Sequence, residues 1–123
     1  MADARAPLIA LGALNAAIAV AAGAFGAHGL RERLDARALE VFETGARYQM
    51  YHAFALLVVG LLAAGVPRAA TAGWLFQAGI VLFTGSLYAL ALTGTKGLGA
   101  ITPLGGLAFL AGWLWLAWSA WRG

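Results

Sequence analysis

The sequence predicts an all-α, polytopic membrane protein: one bundle of four transmembrane helices, with a short amphipathic interfacial helix between spans 1 and 2. Three observations lead there. Only 11% of the 123 residues are charged and 63% are hydrophobic, whereas a soluble domain carries about 25% charged residues. Folded in water, so short a chain would leave about a third of its unfolded surface facing solvent, with too little charge to coat it. Most of the charges fall in one segment, and apolar stretches of membrane-spanning length lie on either side of it.

The first span is read at 7–27, PLIALGALNAAIAVAAGAFGA, which has no ionisable group and matches the ~20 residues needed to cross a bilayer. Ala22-Gly23-Ala24 also has the small-residue form of a signal-peptidase site after a single-Arg n-region, but the segment is expected to be retained. From His28 to Arg47 the chain turns polar, with Arg31, Glu32, Arg33, Asp35, Arg37, Glu40, Glu43 and Arg47, so this part lies outside the hydrocarbon. Within it Asp35 suits a helix N-cap, and Leu34, Ala38, Val41 and Phe42 recur at helical spacing, predicting a surface-lying helix over about 35–45. Glu43 and Arg47, spaced i,i+4, are expected to close an interfacial salt bridge, and Gly45 to mark a bend. The second span follows at 46–66, ended by Gly65 and Pro67. Arg68 sits in a tight connection, the third span covers 70–93, and Gly94 to Gly99 form a loop. The fourth span covers 101–121; Thr102-Pro103 suits a helix start, where proline's missing N–H has no partner to lose.

Four crossings place both termini and Arg68 at one face of the membrane, and the polar segment and Lys96 at the other. Trp74, Trp118 and Trp121 then belong to the first interface and Tyr48 and Tyr51 to the second. Arg5, Arg68 and Arg122 stand against Arg31, Arg33, Arg37, Arg47 and Lys96, so the positive-inside bias puts the termini on the non-cytoplasmic side of the cell (inner) membrane. The cations are dispersed, which argues against nucleic acid as a partner. The absence of cysteine excludes disulfides and thiolate metal sites. The expected partners are the lipid bilayer and a second copy or another membrane protein.

In lipid, helices associate through close backbone approach and interhelical hydrogen bonds rather than the hydrophobic effect. Small pairs at i,i+4, namely Ala19/Gly23, Ala22/Gly26, Gly23/Ala27 and Ala108/Gly112, are therefore expected to pack within the monomer, the alternative being a dimer seam. On this reading Gly23→Leu destabilises the monomer.

Polar groups inside a span are costly and become candidates for function or for interhelical bonding. They are Asn15, Gln49, His52, Gln77, Thr84 and Ser86. The densest constellation is Arg47-Tyr48-Gln49-Met50-Tyr51-His52, in which Tyr48 and His52 share a helical face. His28 closes span 1 on the same side, so an approach of the two histidines is open, with a haem, metal or proton-relay role following from it. Otherwise His52 bonds Gln49 or a backbone carbonyl. Two histidines are few for a closed metal site, so neither a metal nor a cofactor is expected. No Ser/His/Asp set, HExxH or paired carboxylates occur, and no catalytic residue is assigned.

The stretches GAFGAHGL (23–30), YQMYHA (48–53), LFTGSLY (82–88) and ITPLGG (101–106), with Gly112-Trp113, resemble the small membrane family known as domain of unknown function 423. The resemblance covers nearly the whole chain in order. It implies a four-helix membrane fold and no particular activity, and it directs attention to its polar motif residues, His28, Tyr48, Gln49, His52, Thr84, Ser86, Tyr88 and Thr102. The expected role is a non-enzymatic scaffold or accessory component. The alternatives are an oligomeric carrier or pore lined by His28, Gln49, His52 and Ser86, and a haem- or metal-binding protein using His28 and His52.

Overall fold

The computed structural model describes residues 3–123, which form four long helices joined by short turns. Helix α1 is Arg5–His28 and α2 is Ala36–Leu62. Helix α3, Pro67–Thr93, opens on a 3-10 turn and contains a π-helical turn at Ile80–Thr84. Helix α4, Thr102–Arg122, follows a 3-10 segment at Lys96–Ala100 and has Pro103 in its first turn. Helix α3 ends at Gly94, whose φ of +71° is the left-handed conformation that glycine adopts without a Cβ clash.

The surface-lying helix expected over 35–45 is instead the opening of α2. Asp35 caps it by accepting the Ala38 N–H at 2.7 Å, and the helix then runs unbroken to Leu62. Phe42, only 4% exposed, packs with Leu30 and Ala91 in an apolar cluster joined by Tyr88, so the apolar side of this segment covers protein rather than lipid. Gly45 does not interrupt the helix. A Cβ there would press on the Tyr88 ring at 3.0 Å, and the Gly45 carbonyl accepts the Thr84 hydroxyl at 3.2 Å. The bare glycine lets α3 approach α2 closely.

Helices α1 and α2 form one antiparallel hairpin and α3 and α4 the other, each pair in extensive contact. The α3–α4 seam is written in mirrored order. Phe76, Gly79 and Phe83 on one helix face Gly112, Phe109 and Gly105 on the other, so the Phe76 and Phe109 rings each meet a glycine and the Phe83 backbone meets the third. A Cβ on Gly112 would lie 2.7 Å from the Phe76 ring; one on Gly79 would enter the Phe109 ring, and one on Gly105 would collide with the Phe83 backbone. Ridge-into-groove packing this close lets dispersion contacts hold helices that lipid would solvate equally well.

The small-residue pairs are used unevenly. Gly26 packs on Phe42 and Gly112 on Phe76, whereas a Cβ on Gly23 would meet nothing within 4 Å. The expectation that Gly23→Leu destabilises the monomer is thereby overturned, because α1 turns this residue outward. The substitution should leave the thermal midpoint in detergent unchanged, and a drop of several degrees would show that Gly23 meets a neighbour after all.

Among the described residues, three helical segments are long and apolar enough to cross a membrane: Arg5–His28, Pro67–Thr93 and Lys96–Arg122. Leu114 is 71% exposed, Leu61 68%, Leu107 62% and Val20 62%. An apolar exterior on this scale suits acyl chains and not water. Helix α2, 27 residues, would extend about 40 Å, with its exposed charges confined to the stretch from Arg37 to Arg47.

Candidate functional site

Hydrogen bonds join three helices through the interior. Asn15 of α1 donates from Nδ2 to Gln77 Oε1 of α3 at 2.8 Å and to its own Leu11 carbonyl at 2.9 Å. Gln49 of α2 donates from Nε2 to Asn15 Oδ1 at 2.9 Å. Tyr88 of α3 donates its hydroxyl to Gln49 Oε1 at 2.8 Å. In the order Tyr88–Gln49–Asn15–Gln77 the Gln49 and Asn15 amides each donate and accept at once, so the bonds polarise one another. Asn15 and Gln49 are 5% and 4% exposed; unpaired at that depth, each amide would be expensive.

A second arrangement surrounds His52. Its Nδ1 lies 2.8 Å from the Tyr48 carbonyl, and the Trp113 indole N–H donates to its Nε2 at 3.1 Å. An indole nitrogen only donates and a carbonyl only accepts, so the proton sits on Nδ1 and the lone pair on Nε2. Phe109 stacks on the imidazole with centroids 3.6 Å apart and planes 7° from parallel, and Phe76 closes another side at 5.5 Å. Both ring nitrogens are thus occupied. An apolar groove of approximately 560 Å³ runs beside this cage, lined by Tyr48, His52, Phe83, Pro103, Leu107 and Trp113 among others.

The remaining candidates are distributed. Ser86 donates to the Phe83 carbonyl at 2.9 Å and its Oγ lies 2.5 Å from Thr102 Oγ1, linking α3 to the start of α4. Thr84 bonds the Gly45 carbonyl of α2. His28 is exposed at the end of α1. In the antiparallel hairpin Gly12 is the α1 residue that approaches Ala53, so His28 stands about 24 Å along the axis from the level of His52 at 1.5 Å per residue. The two histidines do not meet, and no described group of three metal-ligating side chains exists. A joint haem or metal site at His28 and His52 is therefore excluded by geometry. His28, Gln49, His52 and Ser86 likewise do not line a common path in the monomer. The Glu43–Arg47 salt bridge is absent too: Arg47 donates to Thr44 Oγ1 at 3.5 Å, and the only ion pair among the described residues joins Arg5 to Asp3 at 3.0 Å. Exposed long side chains gain too little from pairing to hold that geometry. In the Arg5–Asp3 pair, the Arg5 backbone N–H and then its guanidinium hold the Asp3 carboxyl below its ordinary value.

Trp113 was not foreseen as the donor to His52, and Tyr88, a candidate through the family resemblance, was not assigned its bond to Gln49. The spacing of Tyr88 from Thr84, one helical turn, placed both on the α2-facing side of α3 and was the available signal. Ser119 was also overlooked: it is fully buried and its hydroxyl has no partner among the described residues. Ser119→Ala removes that unmet donor and should leave the unfolding free energy in detergent unchanged or raise it by about 1 kcal/mol; a loss of that size would reveal a bond to Oγ.

Comparison with known proteins places the chain among membrane proteins. The family described as "Protein of unknown function (DUF423)" matches residues 22–106. The chain is 55% identical over 109 residues to the UPF0382 membrane protein YwdK of Bacillus subtilis (strain 168), covering 86% of this chain and 89% of that one. It is 53% identical over 107 residues to a UPF0382 membrane protein of Staphylococcus epidermidis, covering 86% and 88%. It is 52% identical over 109 residues to the UPF0382 membrane protein SSP2132 of Staphylococcus saprophyticus, covering 88% and 91%. No solved structure matches the chain. The length and level of these identities make the chain an all-α membrane protein of the DUF423 family, whose function is unknown.

Proposed function

We propose that the chain crosses the cell membrane four times and serves there as a non-enzymatic scaffold or accessory component. The observation that carries this reading is where its intramembrane polar groups point. Asn15, Gln49, Gln77 and Tyr88 bond one another, and His52 is held between Tyr48 and Trp113. Side chains that would bind or transform a substrate instead lock helix to helix. The fourth crossing is α2, whose apolar half lies antiparallel to α1, Ala53 and Leu57 beside Gly12 and Gly60 beside Ile9 and Arg5. A helix paired along a spanning neighbour shares its depth. With three Arg at the end that holds the termini and five Lys or Arg at the other, the positive-inside bias favours termini on the non-cytoplasmic side.

The partner of such a component is another membrane protein or a second copy of this chain, gathered on its exposed apolar faces. Affinity purification of the tagged protein from native membranes in mild detergent tests this. Repeated recovery of the same membrane protein, or of the chain itself, supports the reading. Recovery of the tagged chain alone, as a monomer, in every preparation contradicts it. Impermeant labelling of single cysteines at Lys96 and Arg122 in intact cells reports the orientation: label at Arg122 alone is expected, and label at Lys96 alone reverses it.

A further inference from the structure

The end of the bundle that carries the termini holds a cationic cluster whose complement is missing from the chain. Arg68 lies in the 3-10 turn that opens α3. Its carbonyl accepts the Trp115 indole N–H at 2.8 Å, which ties the turn to α4. Its guanidinium carbon stands 5.1 Å from the centre of the Trp118 ring, and Trp115 and Trp118 lie 5.2 Å apart. Arg122 follows Trp118 by one helical turn and so falls on the same face. One cation thus stands over the Trp118 ring and a second follows on the same helical face.

The acids cannot answer them. Asp3 is at this end, but its carboxylate is engaged by Arg5 at 3.0 Å. Glu32, Asp35, Glu40 and Glu43 belong to the opposite end, in or just before the first turns of α2. Stacking on an indole leaves the guanidinium edge free, and that edge offers planar paired donors matching two oxygens of a phosphate. Tryptophans at a helix end sit at headgroup depth, so Trp115 and Trp118 hold this edge where lipid phosphates lie.

We propose that Arg68, stacked on Trp118 and assisted by Arg122, binds the phosphodiester of an anionic phospholipid headgroup. The proposal rests on the membrane placement of this end given above, but not on the scaffold role, so loss of either leaves the other standing.

The test is native mass spectrometry of the intact protein in detergent, titrated separately with phosphatidylglycerol and phosphatidylcholine. The wild-type chain should retain phosphatidylglycerol preferentially. Arg68→Gln should cut that preference about five-fold, as expected for one cation at an anionic surface. Arg122→Gln, at the last helical residue where the fold does not depend on it, should reduce it by a similar factor, which keeps the test decisive even where Arg68→Gln folds poorly. Excess inorganic phosphate should leave the lipid adduct intact. Equal retention of the two lipids by the wild type, an undiminished preference in both variants, or displacement by inorganic phosphate would each overturn the proposal, the last by showing a site for a free anion.

Discussion

Gly105→Ala is expected to lower the unfolding free energy in detergent by about 3 kcal/mol, the upper part of the range for overpacking a tight interior, while Gly106→Ala beside it causes no loss. The two residues share a helix, a type and a neighbourhood, and differ only in what stands opposite. A Cβ on Gly105 meets backbone atoms of Phe83, and one on Gly106 meets nothing within 4 Å. Backbone cannot rotate away as a side chain does, so α3 and α4 must separate along the whole Phe/Gly seam. That would also draw Phe109 and Trp113 off His52. Tryptophan emission followed through thermal or denaturant unfolding measures both variants. Equal stabilities for the two would show that the seam is looser than described.

Gln49→Leu carries the second large effect, a loss of about 2–4 kcal/mol. Gln49 sits inside the relay, accepting from Tyr88 and donating to Asn15. Leucine has similar bulk but strands a hydroxyl and an amide oxygen. Each stranded buried group costs about 1–3 kcal/mol, although interhelical bonds in membranes average nearer 0.6 kcal/mol. A double-mutant cycle with Tyr88→Phe separates these contributions: the coupling energy should be positive and larger than that between Gln49→Leu and Ser86→Ala, which lies outside the relay. Equal couplings would show that the relay bonds act independently.

Much of the fold was legible because the bilayer imposes a simple rule, that a backbone in hydrocarbon satisfies its own polar groups. The boundaries of α1, α3 and α4 follow from apolar length, Gly94 and Pro103. The start of α2 follows from the Asp35 cap. What the sequence misrepresented was the stretch from Asp35 to Gly45. Its amphipathic spacing reads equally as a helix on a membrane and as a helix on protein, and only the positions of Leu30, Tyr88 and Ala91 decide between them. The candidate site was half legible. A buried amide must find a partner, so Asn15, Gln49 and Gln77 were recognisable as interhelical bonds, but their pairing depends on rotation of each helix about its axis. The same rotation separates Gly23 from Gly26 and hides Trp113 behind His52. The mirrored order of Phe76, Gly79 and Phe83 with Gly105, Phe109 and Gly112 was present in the sequence all along and specifies the α3–α4 register.

The account depends on α2 traversing the membrane beside α1 despite the charges in its opening turns. Single cysteines at Arg37 and Arg68 bracket its apolar half, and an impermeant thiol reagent applied to intact cells and to inverted vesicles reports the side of each. Labelling from opposite sides is the result the four-helix crossing requires. Labelling of both from the same side would leave α2 lying against one leaflet and contradict the account.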